Sequence, residues 1–90
     1  MKRCQTLIRN ELGLHLRAAG SFVRLASQFE SQITVATATS PPVDGKSILG
    51  LATQGAAKGT ELILTADGPD EDAAMATLVA HIEDLFGEGK

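Results

Sequence analysis

A single cysteine, Cys4, rules out an internal disulfide and leaves too few thiols for a cysteine metal site. Its place in an alternating stretch marks it as a buried strand position. Tryptophan and tyrosine are absent, so two of the rings on which bases usually stack are missing. Its 8 lysines and arginines are spread out, and the formal net charge is -3. Nucleic acid is not an expected partner. The longest apolar runs, such as Leu62 to Leu64, fall far short of the ~20 residues of a spanning helix. No apolar signal-peptide core follows Met1. The expectations are no membrane insertion and residence in the cytoplasm. Two histidines far apart, His15 and His81, give neither ligand spacing nor a catalytic triad, so no metal and no cofactor are expected.

What remains is the composition of an ordinary globular protein: 90 residues, 43% hydrophobic and 21% charged. That length supports one domain, residues 1–90, with a modest core. Lys2 to Arg9 alternates Cys4, Thr6 and Ile8 against Gln5, Leu7 and Arg9, as a first strand would. From Leu16 to Phe29, Ala19, Phe22, Val23, Ala26 and Phe29 recur at helical spacing, with Arg17, Ser21 and Arg24 on the other side. Gln32 to Ala38 reads as a second strand. Ser40 to Gly45 is turn chemistry around a short third one. Ser47 caps a short helix that Gly55 closes. Thr60 to Ala66 has the two apolar faces of an interior strand. Asp67-Gly68-Pro69-Asp70 turns into a final helix whose stripe is Met75, Leu78, Val79, Ile82, Leu85 and Phe86.

The link after the second strand is too short for a parallel crossover, so an antiparallel sheet with helices on one face is the natural packing. That is an α+β open-faced sandwich. A split βαβ domain of ferredoxin-like type shares the order, which alone selects no function.

The chemistry concentrates in Gly13-Leu14-His15-Leu16-Arg17, with His15 just before the first helix. There the N–H groups of Leu16 and Arg17, at the open end of the helix, and the positive end of the helix dipole form an anion site. A phosphoryl group on His15 would sit in it, and Arg17 offers a planar fork of donors to its oxygens. Gly13 gives the freedom to aim the ring outward. Spacing alone also suits a capping or surface histidine. His81 has no adjacent glycine, arginine or helix N-terminus and reads as structural.

Together with Phe22-Val23 and Ala26, Gly45-Lys46-Ser47-Ile48-Leu49-Gly50-Leu51, Gly59, and Ala66-Asp67-Gly68-Pro69-Asp70-Glu71, this stretch resembles the HPr family over nearly the whole chain. The resemblance implies a four-stranded antiparallel sheet covered on one face by three helices. It implies a phosphocarrier, not an enzyme, of the phosphoenolpyruvate-dependent phosphotransferase system. His15 would accept the phosphoryl group on Nδ1 from enzyme I and pass it to enzyme IIA domains, with Arg17 in support. Ser47 would be the site of an HPr kinase/phosphorylase found in some lineages, and a helix cap in any case. Leu16, Gly20, Ile48, Leu49 and Ala52 would form an apolar docking patch ringed by Arg17, Arg24 and Lys46, on a monomer. Leu51 points to the core.

The chain departs from the family pattern at Ala18, where proline is usual, and at Leu16, where a small residue is. Thr39 to Asp44 is about one residue longer than usual, and Ala52 and Gln54 replace bulkier apolar residues. These differences bear on partner identity. Sugar uptake and a regulatory, nitrogen-related branch are both open, and so is a metabolite- or protein-binding domain without transfer, against which His15 and Arg17 argue.

Overall fold

The computed structural model describes residues 1–87. The elements run β1 (Lys2–Leu7), α1 (Leu16–Ala26), β2 (Gln32–Thr37), β3 (Ser40–Asp44), α2 (Ile48–Thr53), β4 (Glu61–Asp67) and α3 (Glu71–Glu83), followed by a 3₁₀ turn, Leu85–Gly87. The four strands form one sheet in the order β1-β4-β2-β3, with every neighbouring pair antiparallel. This is the expected α+β sandwich, with β4 in the interior as its apolar sequence required.

Strand periodicity sorts the side chains. Leu62 and Leu64 of β4 and Ile33 and Val35 of β2 are buried in one cluster with Phe22 of α1, Leu51 of α2, and Leu78 and Ile82 of α3. Each such side chain is worth about 1.5–3 kcal/mol when removed from water, so this layer carries the fold. On the other face Thr34 and Thr65 hydrogen-bond through their hydroxyls across β2 and β4. Cys4 is half-buried rather than buried, since β1 lies at the rim of the sheet and only part of its inner face is covered.

The β2–β3 hairpin turns at Ala38-Thr39, between Thr37 and its partner Ser40. Val35 pairs with Val43, so Pro41 and Pro42 together stand opposite Ala36. That is a bulge, one of the few sheet positions that tolerates residues without an N–H. One residue more on β3 than on β2 is absorbed there. Gln54, at the end of α2, donates its amide to the Val35 carbonyl at 3.0 Å, so this departure from the family pattern ties α2 to the hairpin.

Strands β2 and β4 differ from their expected bounds by one residue, and three other ends shift further. β1 stops at Leu7, yet Ile8 donates to the Thr60 carbonyl at 2.9 Å and accepts from Gly59 at 2.8 Å. Helix α1 ends at Ala26, and the chain reaches Phe29 through tighter bonds from Gln28 to Leu25 and from Phe29 to Ala26. Leu85 and Phe86 do not continue the last helix. Both adopt left-handed backbone, φ 57° and 55°, after Asp84 has closed α3 on Ala80. The reversal drops Phe86 into the core, where its ring meets His81 edge-on at 5.7 Å. His81 Nε2 also lies 3.0 Å from the Ser21 hydroxyl of α1. It is a structural bridge between helices, as its sequence context indicated.

Candidate functional site

His15 is the N-cap of α1. Its backbone is extended, φ -82° and ψ 179°, and its ring Nδ1 accepts the Arg17 N–H at 3.2 Å. Caps are usually Ser, Thr, Asp or Asn; here an imidazole nitrogen takes the part. As an acceptor, Nδ1 carries the ring's lone pair, which places the proton of a neutral ring on Nε2. No acidic side chain lies in the first turn of α1, so the helix itself does not neutralise the partial positive charge at this end.

The loop before His15 is fixed from behind. Gly13 has φ +67°, and a Cβ there would stand 2.5 Å from the Ala56 carbonyl oxygen. Leu14 donates to that same oxygen at 2.8 Å. Glycine is thus required twice over, by the left-handed turn and by the close approach of two backbones. Asn10, fully buried, donates its side-chain amide to the Gly13 carbonyl at 2.7 Å.

Arg17 is exposed beside His15, one residue into the helix after Leu16. Arg24 is exposed one turn beyond Gly20, and its guanidinium would lie 3.7 Å from a Cβ at that glycine. Ser47 caps α2 through its hydroxyl, which accepts the Gly50 N–H at 3.1 Å. Lys46 is turned inward: half-buried, it donates its ammonium to the Phe29 carbonyl at 2.7 Å, clamping the start of α2 to the end of α1.

Of the apolar residues expected to meet partners, Leu16, Ile48 and Leu49 are exposed by 65%, 41% and 72%. Leu16 lies on α1 and Ile48 and Leu49 on α2, two helices that pack against each other. Gly20 is buried, and Ala52 is half-buried against the core; Leu51 is fully inside. Leu12, three residues before His15, is 69% exposed and adds a further apolar side chain to the loop that carries the histidine. It was missed because an isolated leucine in a turn has no periodicity to betray it. Asn10 and Ala56 were missed because their contribution comes from contacts that spacing does not encode.

Among the described residues no group of three or more His, Cys, Asp or Glu side chains could hold a metal ion. No described helix is long and apolar enough to cross a membrane.

Residues 2–84 match the family described as "PTS HPr component phosphorylation site". The chain is 49% identical over 83 residues, 92% of each sequence, to phosphocarrier protein HPr of Neisseria meningitidis serogroup A. It is 42% identical over all 90 residues of both chains to phosphocarrier protein HPr of Cupriavidus necator. Its fold superposes with a TM-score of 0.91 on HPr-C-His from Thermoanaerobacter tengcongensis, 43% identical and covering 98% of each chain. By sequence over almost its full length and by fold, the chain belongs to the HPr family, the phosphocarrier proteins of the phosphotransferase system.

Proposed function

We propose that His15 Nδ1 accepts the phosphoryl group from phosphorylated enzyme I and returns it to enzyme IIA domains, in sugar uptake or its regulation. The observation that carries this reading is the contact of Nδ1 with the Arg17 N–H at the start of α1. In the transfer, the Nδ1 lone pair forms the new N–P bond as the donor's bond to phosphorus breaks and its electron pair returns to the donor. The Arg17 N–H loses its nitrogen acceptor at that moment and gains a phosphoryl oxygen. The Arg17 guanidinium is the second donor assigned to those oxygens.

Magnitudes fit a carrier. A helix end contributes about 0.3–1 kcal/mol to an anion, and a hydrogen bond to a charged group about 1.5–3 kcal/mol. Contributions of that size hold a phosphoryl group without trapping it. Leu16, Ile48 and Leu49, joined by Leu12, serve as the docking surface, with Arg17 and Arg24 meeting acidic rims on partners. Gly20 and Ala52 shape its floor, and Lys46 acts from beneath by holding α2 in place. The protein works as a monomeric single domain, residues 1–90, in the cytoplasm. Ser47 is the position where an HPr kinase/phosphorylase, if its lineage has one, would add a phosphate.

The test is incubation with cognate enzyme I, labelled phosphoenolpyruvate and Mg²⁺. Acid-labile label on His15, lost in His15→Gln, is expected. No label from the cognate enzyme, or label that survives the substitution, overturns the assignment.

A further inference from the structure

The transfer chemistry needs Nδ1 aimed at the start of α1, and the chain that aims it is an eight-residue loop, residues 8–15, with no strand or helix of its own. That loop is held at two points. One is the backing segment, where Ala56 takes the Leu14 N–H and Gly59 and Thr60 pair with Ile8. The other is Asn10, with no exposed surface, whose Nδ2 sits 2.7 Å from the Gly13 oxygen while its own carbonyl receives the Gly13 N–H at 3.2 Å. A single residue thereby closes the turn at Gly13 from both its backbone and its side chain.

Filling space does not account for an amide at this place. The Asn10 Oδ1 is buried without a hydrogen-bond partner among the described residues, whereas an apolar side chain of the same size would leave no acceptor in that condition. The useful half of the amide is its donor. The Gly13 carbonyl belongs to a peptide unit two residues before the histidine, so rotation of that unit swings the Leu14-His15 backbone and moves Nδ1 off the Arg17 N–H.

We propose that Asn10 is a positioning residue for phosphoryl transfer, its side-chain N–H locking the Gly13 peptide so that His15 Nδ1 faces the N-terminus of α1. This rests on the assignment of Nδ1 as the reacting atom. Asn10 touches no reactant and acts through the loop.

The experiment compares wild type, Asn10→Leu and, as a core-weakening control on α3, Val79→Ala. Asn10→Leu is expected to lower the maximal rate of transfer from enzyme I by about 10- to 100-fold, as a misplaced reacting atom does, with a smaller change in KM because Leu16, Ile48 and Leu49 lie outside the loop and only Leu12 moves with it. The Arg17 amide and His15 ring resonances should shift together in nuclear magnetic resonance spectra, and neither should move in Val79→Ala. Wild-type rate and unshifted resonances in a folded Asn10→Leu would overturn the proposal, as would an equal rate loss in Val79→Ala. If the leucine variant does not fold, Asn10→Ala is read in the same way. Failure of wild type itself to take label on His15 would instead overturn the transfer reading, and the resonances would still decide whether Asn10 aims the ring.

Discussion

Asp70, just before α3, accepts the Ser31 hydroxyl at 2.5 Å and the Ser31 N–H at 3.0 Å, and with its other oxygen takes the Glu30 N–H at 2.8 Å. The turn into α3 is thus tied to the turn into β2. The Ser31 hydroxyl first, then the Glu30 N–H, hold this carboxyl below the usual aspartate value of 3.8. A carboxyl whose folded value is depressed favours folding above its unfolded value, and that contribution is lost as pH falls through the folded one. Acid titration of stability should therefore show wild type losing more than Asp70→Asn as pH drops below 3.8. Parallel curves would mean that the three bonds do not discriminate between charged and neutral forms.

His81 gives the second pH dependence. Burial pushes its imidazole below the usual 6.5, and the nearby Asp84 carboxylate pulls it part of the way back. The unfolded chain binds this proton more readily, so the stability involved is present above 6.5 and declines as pH falls through the lowered value. Denaturant titrations on either side of that range should show a larger drop for wild type than for His81→Gln. The same drop in both would place the titrating group elsewhere.

At Ser47 two roles of one hydroxyl separate. Ser47→Ala removes the bond to the Gly50 N–H and should cost about 0.5–2 kcal/mol while sparing transfer to His15. Ser47→Asp keeps a capping oxygen but adds charge next to Ile48 and Leu49. It should fold well and accept phosphate more slowly, with the defect shrinking at high salt. Equal rates for Ser47→Asp and wild type at low ionic strength would leave Ser47 as a cap alone.

Arg17→Ala should slow transfer by something on the order of 10²-fold, the usual cost of removing one donor from a developing charge. Its stability should change by no more than about 0.5 kcal/mol, because the side chain lies on the exposed side of α1. Unfolding and single-turnover transfer measured on one preparation decide the matter. A loss of several kcal/mol with intact transfer would make Arg17 a structural residue.

The sheet, its interior strand, the three helices and the position of His15 at a helix start were legible because alternation, helical spacing and glycine placement are local signals. The Ser47 cap was legible for the same reason. Leu85 and Phe86 were not, since they carry the right spacing for α3 and only their left-handed backbone takes them out of it. Lys46 looked like rim charge, yet its long stem reaches a carbonyl 17 residues back in the chain. Asn10 follows the first strand with no periodicity to mark it. Its amide matters through a bond that exists only once the loop has closed.

The Pro41-Pro42 bulge has a consequence for assembly. β3 forms one rim of the sheet, and two successive residues on it have no N–H to offer an incoming strand. β1 is the other rim and carries no proline, so backbone-mediated growth of the sheet is easier along that seam. Two molecules joined through that seam would use it up on both sides, in a closed twofold pair. Head-to-tail stacking, rim β1 against rim β3, forgoes the two donors missing at Pro41 and Pro42, so the two adjacent prolines disfavour open-ended filaments.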